Sequence, residues 1–220
     1  MAVLNTIGAI ALFLSVTTGI CAYFLPFAQA TSSIYAILFF NNINIFVSIL
    51  EIILGIHIKH IKENYMILNN KYKGREWDAV LAFLLRPLSA QDLFSAKSWS
   101  LMWSTYSLFD PSYQNQESFG FFIDFGNGLS TLFPTMLISY ALVHPQQIPP
   151  FFVGCLGLAM YWQKTYGTII YLLSFLYNKR YEGKPPAVVF SFVGTVNGIW
   201  IFFPLIGMKE CIMMIRDSKI

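Results

Sequence analysis

The sequence predicts an all-helical, polytopic membrane protein built as one membrane domain over residues 1–220. Hydrophobic residues make up 56% of the chain and charged residues only 11%, against about 25% charged in ordinary soluble domains. A soluble globule of this size has too much surface to cover with so few charges. The composition therefore excludes a typical cytosolic enzyme, a nucleic-acid-binding protein and a disordered tail, and favours a chain whose main solvent is lipid.

The first two predicted spans precede or contain the first charged residue, Glu51. The stretch 3–25 is long enough to cross a bilayer, because about 20 helical residues cover ~30 Å. It has neither the basic start nor the short apolar core of a signal peptide. Leu25-Pro26 ends this helix, since proline disfavours helical geometry in the residue before it, and a second span is expected at 33–57.

Charges then gather in residues 58–118, which are predicted to form a long interfacial loop of short amphipathic helices. Three further spans are expected at 119–142, 151–177 and 187–208, which makes five in total. The amino terminus, the long loop and the 178–186 linker then share one side, which carries ten of the fourteen Lys and Arg residues. The positive-inside rule assigns that side to the cytoplasm, or to the matrix of a mitochondrion.

Three ionisable residues fall inside predicted spans: Glu51 in the second, Asp124 in the third and Lys164 in the fourth. A charge there costs several kcal/mol unless it is paired or faces a cavity, so each is a candidate functional residue. For Asp124 and Lys164 the alternative is a buried structural ion pair between adjacent spans.

Polar residues recur on one face of four predicted spans. In the second span they stand at spacings of 3, 4 and 3, which is one side of a helix. These faces predict a bundle around a polar spot in an apolar cavity, or interhelical hydrogen bonds that only hold the helices together. The residues are Asn41, Asn44, Ser48 and Glu51; Asp124, Asn127, Thr131 and Thr135; Lys164, Thr168 and Tyr171; and Ser191, Asn197 and Trp200.

No cofactor and no metal site are predicted. The three cysteines are widely spaced and are interpreted as small hydrophobes. The sequence contains no phosphate-binding loop, nucleophile elbow or metalloprotease motif. The net charge of +3 is too small to indicate a polyanionic partner, so no nucleic acid is expected.

Three groups of residues between positions 103 and 207 follow one another in a recognisable order. They are Trp103, Tyr106, Asp110 and Tyr113 before the third span; Tyr166-Gly167 with Tyr171 in the fourth; and Asn197-Gly-Ile-Trp200 followed by Pro204 in the fifth. In these motifs the chain resembles the emopamil-binding protein family, the five-span EXPERA-domain proteins that include the sterol Δ8–Δ7 isomerase and the sigma-2 receptor. Residues Phe46 to Glu51 resemble the second span of that family more loosely.

The resemblance implies a five-helix membrane bundle whose cavity holds a sterol or related lipid. It also suggests the endoplasmic reticulum as the location, with the mitochondrial inner membrane as the alternative. In the isomerase a His and a Glu of the second span act with a Glu of the third, and aromatic faces flank a cationic intermediate. By this likeness Glu51 and Asp124 are the catalytic pair of an active enzyme, and the ligand-binding residues are Asn44, Asn127, Lys164, Tyr166, Asn197 and Trp200.

The match to the isomerase site is incomplete in this sequence. Val47 stands where the family has its second-span His, and Asp124 is one methylene shorter than the third-span Glu. Asn127 stands at the position of a Thr, and Lys164 at that of a neutral Gln. A Lys there either pairs with Asp124 or repels a carbocation, and both oppose alkene protonation.

Three functions follow as hypotheses. The first is a divergent family member that holds a sterol or similar lipid without full isomerase activity. The second is a structural or accessory subunit of a larger membrane complex, and a homodimer is a further possible assembly. The third is a working sterol Δ8–Δ7 isomerase that uses Glu51 and Asp124.

Overall fold

A computed structural model describes residues 4–116 and 118–220 of the chain, and its named elements are all helical. Within that part there is no β-strand, only an isolated bridge between Asn5 and Pro87. Residue 3 of the first predicted span and residue 117 of the predicted loop lie outside the described residues. The helices are α1 (Thr6–Phe24), α2 (Ser32–Ile56), α3 (Ile58–Tyr72), α4 (Glu76–Leu84), α5 (Ala90–Leu93), α6 (Ala96–Trp99), α7 (Leu101–Tyr106), α8 (Phe119–Val143), α9 (Pro150–Tyr177), α10 (Pro186–Val189) and α11 (Thr195–Asp217), with 3₁₀ turns at Phe27–Gln29 and Pro111–Gln114 and a π-helical turn at Phe190–Gly194.

Four helical stretches of the described chain are long and apolar enough to cross a membrane: α1, α2, α8 and Phe190–Asp217. This confirms the prediction of an all-helical, integral membrane protein in its general form. Helix α9 has 28 residues and is not among the four. Its centre carries Gln163, Lys164 and Thr165, whose polarity lowers the mean hydropathy of the helix, so the fifth span stays a prediction.

The last helix extends further than the sequence predicted. The predicted span ended at residue 208, whereas α11 continues through Lys209 and Glu210 to Asp217. Charged residues end an apolar stretch but are good helix formers, so the helix continues past it. It stops at Ser218, whose φ of 51° is in the left-handed region, a common helix terminus.

Most of the stretch predicted as a long loop is folded into helices α3 to α7. Helix α3 follows α2 after His57 alone. Helix α7 is anchored to both, because the Trp103 indole donates to the Leu50 carbonyl at 2.6 Å and the Ser104 hydroxyl donates to the Ile61 carbonyl at 3.3 Å. These contacts hold the aromatic residues of α7 against one end of the long helices.

An antiparallel ladder of side-chain hydrogen bonds joins α2 to α8. Its three rungs are Asn41 Nδ2 to Ser139 Oγ at 3.0 Å, Asn44 Nδ2 to Thr135 Oγ1 at 2.7 Å, and Ser48 Oγ with Thr131 Oγ1 at 3.1 Å. The Tyr161 hydroxyl of α9 donates to Asn41 Oδ1 at 2.9 Å. Three of the four polar residues on the predicted α2 face therefore join neighbouring helices through hydrogen bonds between uncharged groups, as is usual in membrane proteins.

The ladder depends on a close approach of the two helices at Gly128. A Cβ atom built on Gly128 would lie 2.7 Å from Glu51 Cβ and 2.9 Å from both the Ile52 nitrogen and the Ser48 carbonyl oxygen. Only glycine fits between the backbones at this point, as small residues do at helix contacts in membranes. The contact lies beside Glu51, so it also fixes where that carboxylate stands.

Candidate functional site

A mainly apolar cavity of about 290 Å³ lies among the long helices and α7. Its volume is near the lower end of the ~300–1,000 Å³ that is usual for ligand sites. Its apolar wall comes largely from α1, α2 and α7, and its polar atoms from α2, α8, α9 and α11. The lining residues are Ile10, Leu14, Ile43, Phe46, Val47, Leu50, Glu51, Met102, Trp103, Tyr106, Tyr113, Asp124, Asn127, Thr168, Val196, Asn197 and Trp200.

The buried ammonium of Lys164 pairs with Glu51. Its Nζ lies 3.3 Å from Oε1 and 3.2 Å from Oε2 of Glu51, and the two side chains are 0% and 4% exposed. The alternative pairing of Lys164 with Asp124 is therefore wrong for this structure. The four-carbon stem of Lys164 carries its charge from α9 to the α2 carboxylate, so Glu51 reaches the cavity already neutralised by a partner.

Asp124 is the second acid of the cavity and has a different setting. It is half-buried on α8 and lines the cavity. Within the described part of the chain no cation lies within ion-pair distance of its carboxylate. The Asp124 carboxylate interacts with the Tyr113 hydroxyl through a hydrogen bond, and with the charges of Glu51, Lys164 and Asp110 electrostatically. Of the two acids, Asp124 is therefore the one without an ion-pair partner among the described residues.

Aromatic rings form one wall of the cavity. Trp103 and Tyr113 stack with ring centroids 5.2 Å apart, and Tyr106 meets Tyr113 edge-on at 4.9 Å. The Asn197 side chain donates to the Tyr106 hydroxyl at 3.3 Å. Burial raises the pKa of the Tyr106 and Tyr113 phenols above the ordinary value, so both rings stay neutral and offer π faces and hydroxyl groups.

Asp110 holds this aromatic wall in place without lining the cavity. Its Oδ1 accepts from the Ser112 backbone at 2.9 Å, which caps the turn that carries Tyr113. Its Oδ2 accepts from the Tyr171 hydroxyl at 2.9 Å and from Arg180 at 3.1 Å. Asp110 and Tyr171 belong to two of the sequence motifs, but no motif included Arg180, which is distant from Asp110 in the chain.

The structure brings together most of the predicted site residues. Glu51, Asp124, Asn127, Asn197 and Trp200 line the cavity, and Lys164 reaches it through Glu51. Two others do not line it. Asn44 is a rung of the ladder between α2 and α8, and Tyr166 is exposed on α9, where it stacks with Trp162 at 5.9 Å.

Other lining residues were not predicted from the sequence. Ile10 and Leu14 come from α1, and Met102 from α7. A helix that is apolar all round gives no periodic signal for the face that meets a cavity. In the described residues no group of three or more His, Cys, Asp and Glu side chains is arranged to hold a metal ion.

No protein-family model, curated protein or solved structure matches this chain. The resemblance to the emopamil-binding protein family therefore stays a prediction that rests on the motifs quoted above. The geometry adds that residues from two of the three motifs border one cavity, namely Trp103, Tyr106, Tyr113, Asn197 and Trp200. The named residues of the fourth-span motif do not line it.

Proposed function

We propose that this protein is a divergent member of the emopamil-binding protein family that holds a sterol or related lipid in the cavity. The observation that supports this most is the position of Asp124, a carboxylate without an ion-pair partner among the described residues, inside a cavity with aromatic walls. Such a site suits a large apolar molecule that carries one hydroxyl or cationic group, because the Asp124 carboxylate and the aromatic π faces can both stabilise that polar group.

The ion pair of Glu51 with Lys164 argues against full isomerase activity. Alkene isomerisation needs one group to donate a proton and a second to remove one. Glu51 is engaged by the Lys164 ammonium at 3.2 Å, and Val47 offers no exchangeable proton. The cavity therefore keeps one available acid, Asp124, which is sufficient for binding.

The proposal includes five membrane spans, with α9 as the fourth. Helix α9 is long enough to cross, and its polar centre is turned inward, where Lys164 is fully buried. An inward-facing charge of this kind is how membrane helices carry ionisable residues. We place the protein in the endoplasmic reticulum by the family resemblance.

The first prediction concerns ligand binding. We expect the purified protein to retain a sterol-sized lipid and to bind a cationic amphiphilic amine that competes with it. Asp124→Asn should weaken amine binding about 10- to 100-fold, because a hydrogen bond to a charged group contributes ~1.5–3 kcal/mol. The measurement is equilibrium displacement of a radiolabelled amine from the protein in detergent.

The matched control is Asp78→Asn, which removes an exposed carboxylate that does not line the cavity. Equal amine affinity in Asp124→Asn and in wild type would contradict the role of Asp124. Absence of any retained lipid, together with stoichiometric purification in a larger complex, would favour the structural or accessory subunit instead. A homodimer would be compatible with the proposal.

A working sterol isomerase is the second candidate, and one observation favours it. Lys164 does not pair with Asp124, so this acid keeps access to the cavity. If the protein is an active isomerase, it rescues growth of cells that lack Δ8–Δ7 isomerase, and Asp124→Asn abolishes the rescue. No rescue by well-expressed wild-type protein would exclude this candidate and leave the binding proposal standing.

A further inference from the structure

A second, polar concavity lies at the end of α9 and is separate from the apolar cavity. It is an open groove of about 750 Å³. One side of the groove is formed by Lys73, in the turn after α3, and by Glu76, the first residue of α4. The opposite side is the turn that follows α9, from Lys179 to Lys184. The floor includes the turn that leads into α8.

The groove has an excess of positive charge. Four cations border it, against the two acids Glu76 and Glu182 and the buried Asp110 that pairs with Arg180, which leaves an excess of one positive charge. Lys179 pairs with Glu182 at 3.3 Å, but both side chains are largely exposed, and such pairs are weak. Lys73 has no ion-pair partner among the described residues. The other two cations are Arg180 and Lys184.

Buried contacts fix two of these cations in place. Arg180, which borders the groove, has its Nη1 3.1 Å from Oδ2 of Asp110, a carboxylate that is fully buried. Lys184 donates to the Phe109 carbonyl. Because the surrounding turn holds these side chains, less entropy is lost when they bind an anion.

One further feature of the groove suits an anion. The floor contains Ser118, which caps the amino terminus of the 25-residue helix α8, and that end of a helix attracts negative charge. Ser112 also borders the groove, but its hydroxyl oxygen is buried against Gly120 and does not face the groove.

The groove lies at the level where the long helices end. Helix α9 stops at Tyr177, directly before the basic turn, and α8 begins at Phe119, directly after the floor. In the proposed five-span topology, this is the side with ten of the fourteen Lys and Arg residues. Basic pockets between membrane helices at this depth bind phosphate-bearing head groups.

We propose that this groove binds a phosphate-bearing anion, supplied by the head group of an anionic lipid in the same membrane. The site does not depend on the sterol proposal, since its residues and those of the apolar cavity are different. The bound lipid would join the turn after α9 to the turn before α4 through their cations.

The test uses the full-length protein in neutral detergent with short-chain phosphatidylinositol 4-phosphate as the probe. Native mass spectrometry compares its retention with that of phosphatidylcholine of equal chain length. We expect the double variant Lys73→Gln, Lys179→Gln to bind the anionic lipid about 30-fold more weakly, from the usual contribution of two surface cations. The matched control is Lys209→Gln, Lys219→Gln, two exposed lysines near the carboxyl terminus.

Soluble inositol 1,4-bisphosphate serves as the second probe. If it binds as tightly as the lipid and the groove variant weakens it equally, the phosphate site is supported and the source is a free phosphate ester. The proposal is overturned if phosphatidylinositol 4-phosphate binds no tighter than phosphatidylcholine. It is also overturned if the groove variant, with an unchanged melting temperature, loses no more affinity than the control.

Discussion

Replacing Lys164 with methionine should lower the free energy of unfolding by about 3–5 kcal/mol, because it leaves Glu51 as an unpaired buried charge. Both side chains are almost fully buried, and the ammonium lies between 3.2 and 3.3 Å from the two carboxylate oxygens. Methionine keeps most of the length of the lysine stem, so the packing changes little. The loss is therefore mainly electrostatic.

The double variant Lys164→Met, Glu51→Gln should recover most of that stability, since neutral residues can replace a buried ion pair at little cost. The measurement is reversible unfolding in mixed micelles, followed by Trp fluorescence. Lys62→Met on the exposed side of α3 is the control, and its effect should stay within about 0.5 kcal/mol. A loss below ~1 kcal/mol in the single variant, or a double variant no more stable than the single, would contradict the pair.

Gly128→Ala should produce the second large effect, a loss of about 1–3 kcal/mol or more from overpacking. Its new Cβ would stand within 3 Å of two backbone atoms of α2, the Ile52 nitrogen and the Ser48 carbonyl oxygen. Backbone atoms cannot rotate away as a side chain can, so the two helices must separate. Separation also weakens the ladder rung of Ser48 with Thr131.

Gly126→Ala is the matched control on the same helix. A Cβ at Gly126 meets nothing within 4 Å, and alanine favours a helix over glycine by up to ~1 kcal/mol. The same change two residues apart should therefore have opposite signs. Equal effects on the melting temperature for the two variants would show that α2 and α8 are not in close contact at Gly128.

The helix positions could largely be predicted from the sequence, for reasons that are local. Leu25-Pro26 marks the end of α1, and the apolar stretches locate α2 and α8 to within a residue or two. The end of α11 could not be predicted from hydropathy, because helix formation continues at Lys209 and Glu210 where apolarity stops. A hydropathy pattern shows whether a segment is apolar enough to lie in lipid. It does not show how far the helical backbone hydrogen bonding extends beyond that segment.

The site could be predicted only in part. The spacing of Asn44 and Glu51 shows that they share one face of α2, but Asn44 meets Thr135 and Glu51 meets a cavity. Periodicity shows which face of a helix a side chain is on. It does not show whether another helix or a cavity faces that side chain at its position along the helix axis. The partner of Lys164 could not be predicted for the same reason, since either acid was within the reach of its stem.

The ladder between α2 and α8 also sets the register of the cavity. The residue numbers of its rungs rise on α2, from Asn41 to Ser48, as they fall on α8, from Ser139 to Thr131. A slip of one helical turn, about 5.4 Å, would break every rung at once. The depth of Glu51 relative to Asp124 is thus fixed by uncharged amides and hydroxyls that lie about one to four helical turns away, and the two acids take no part in setting this register.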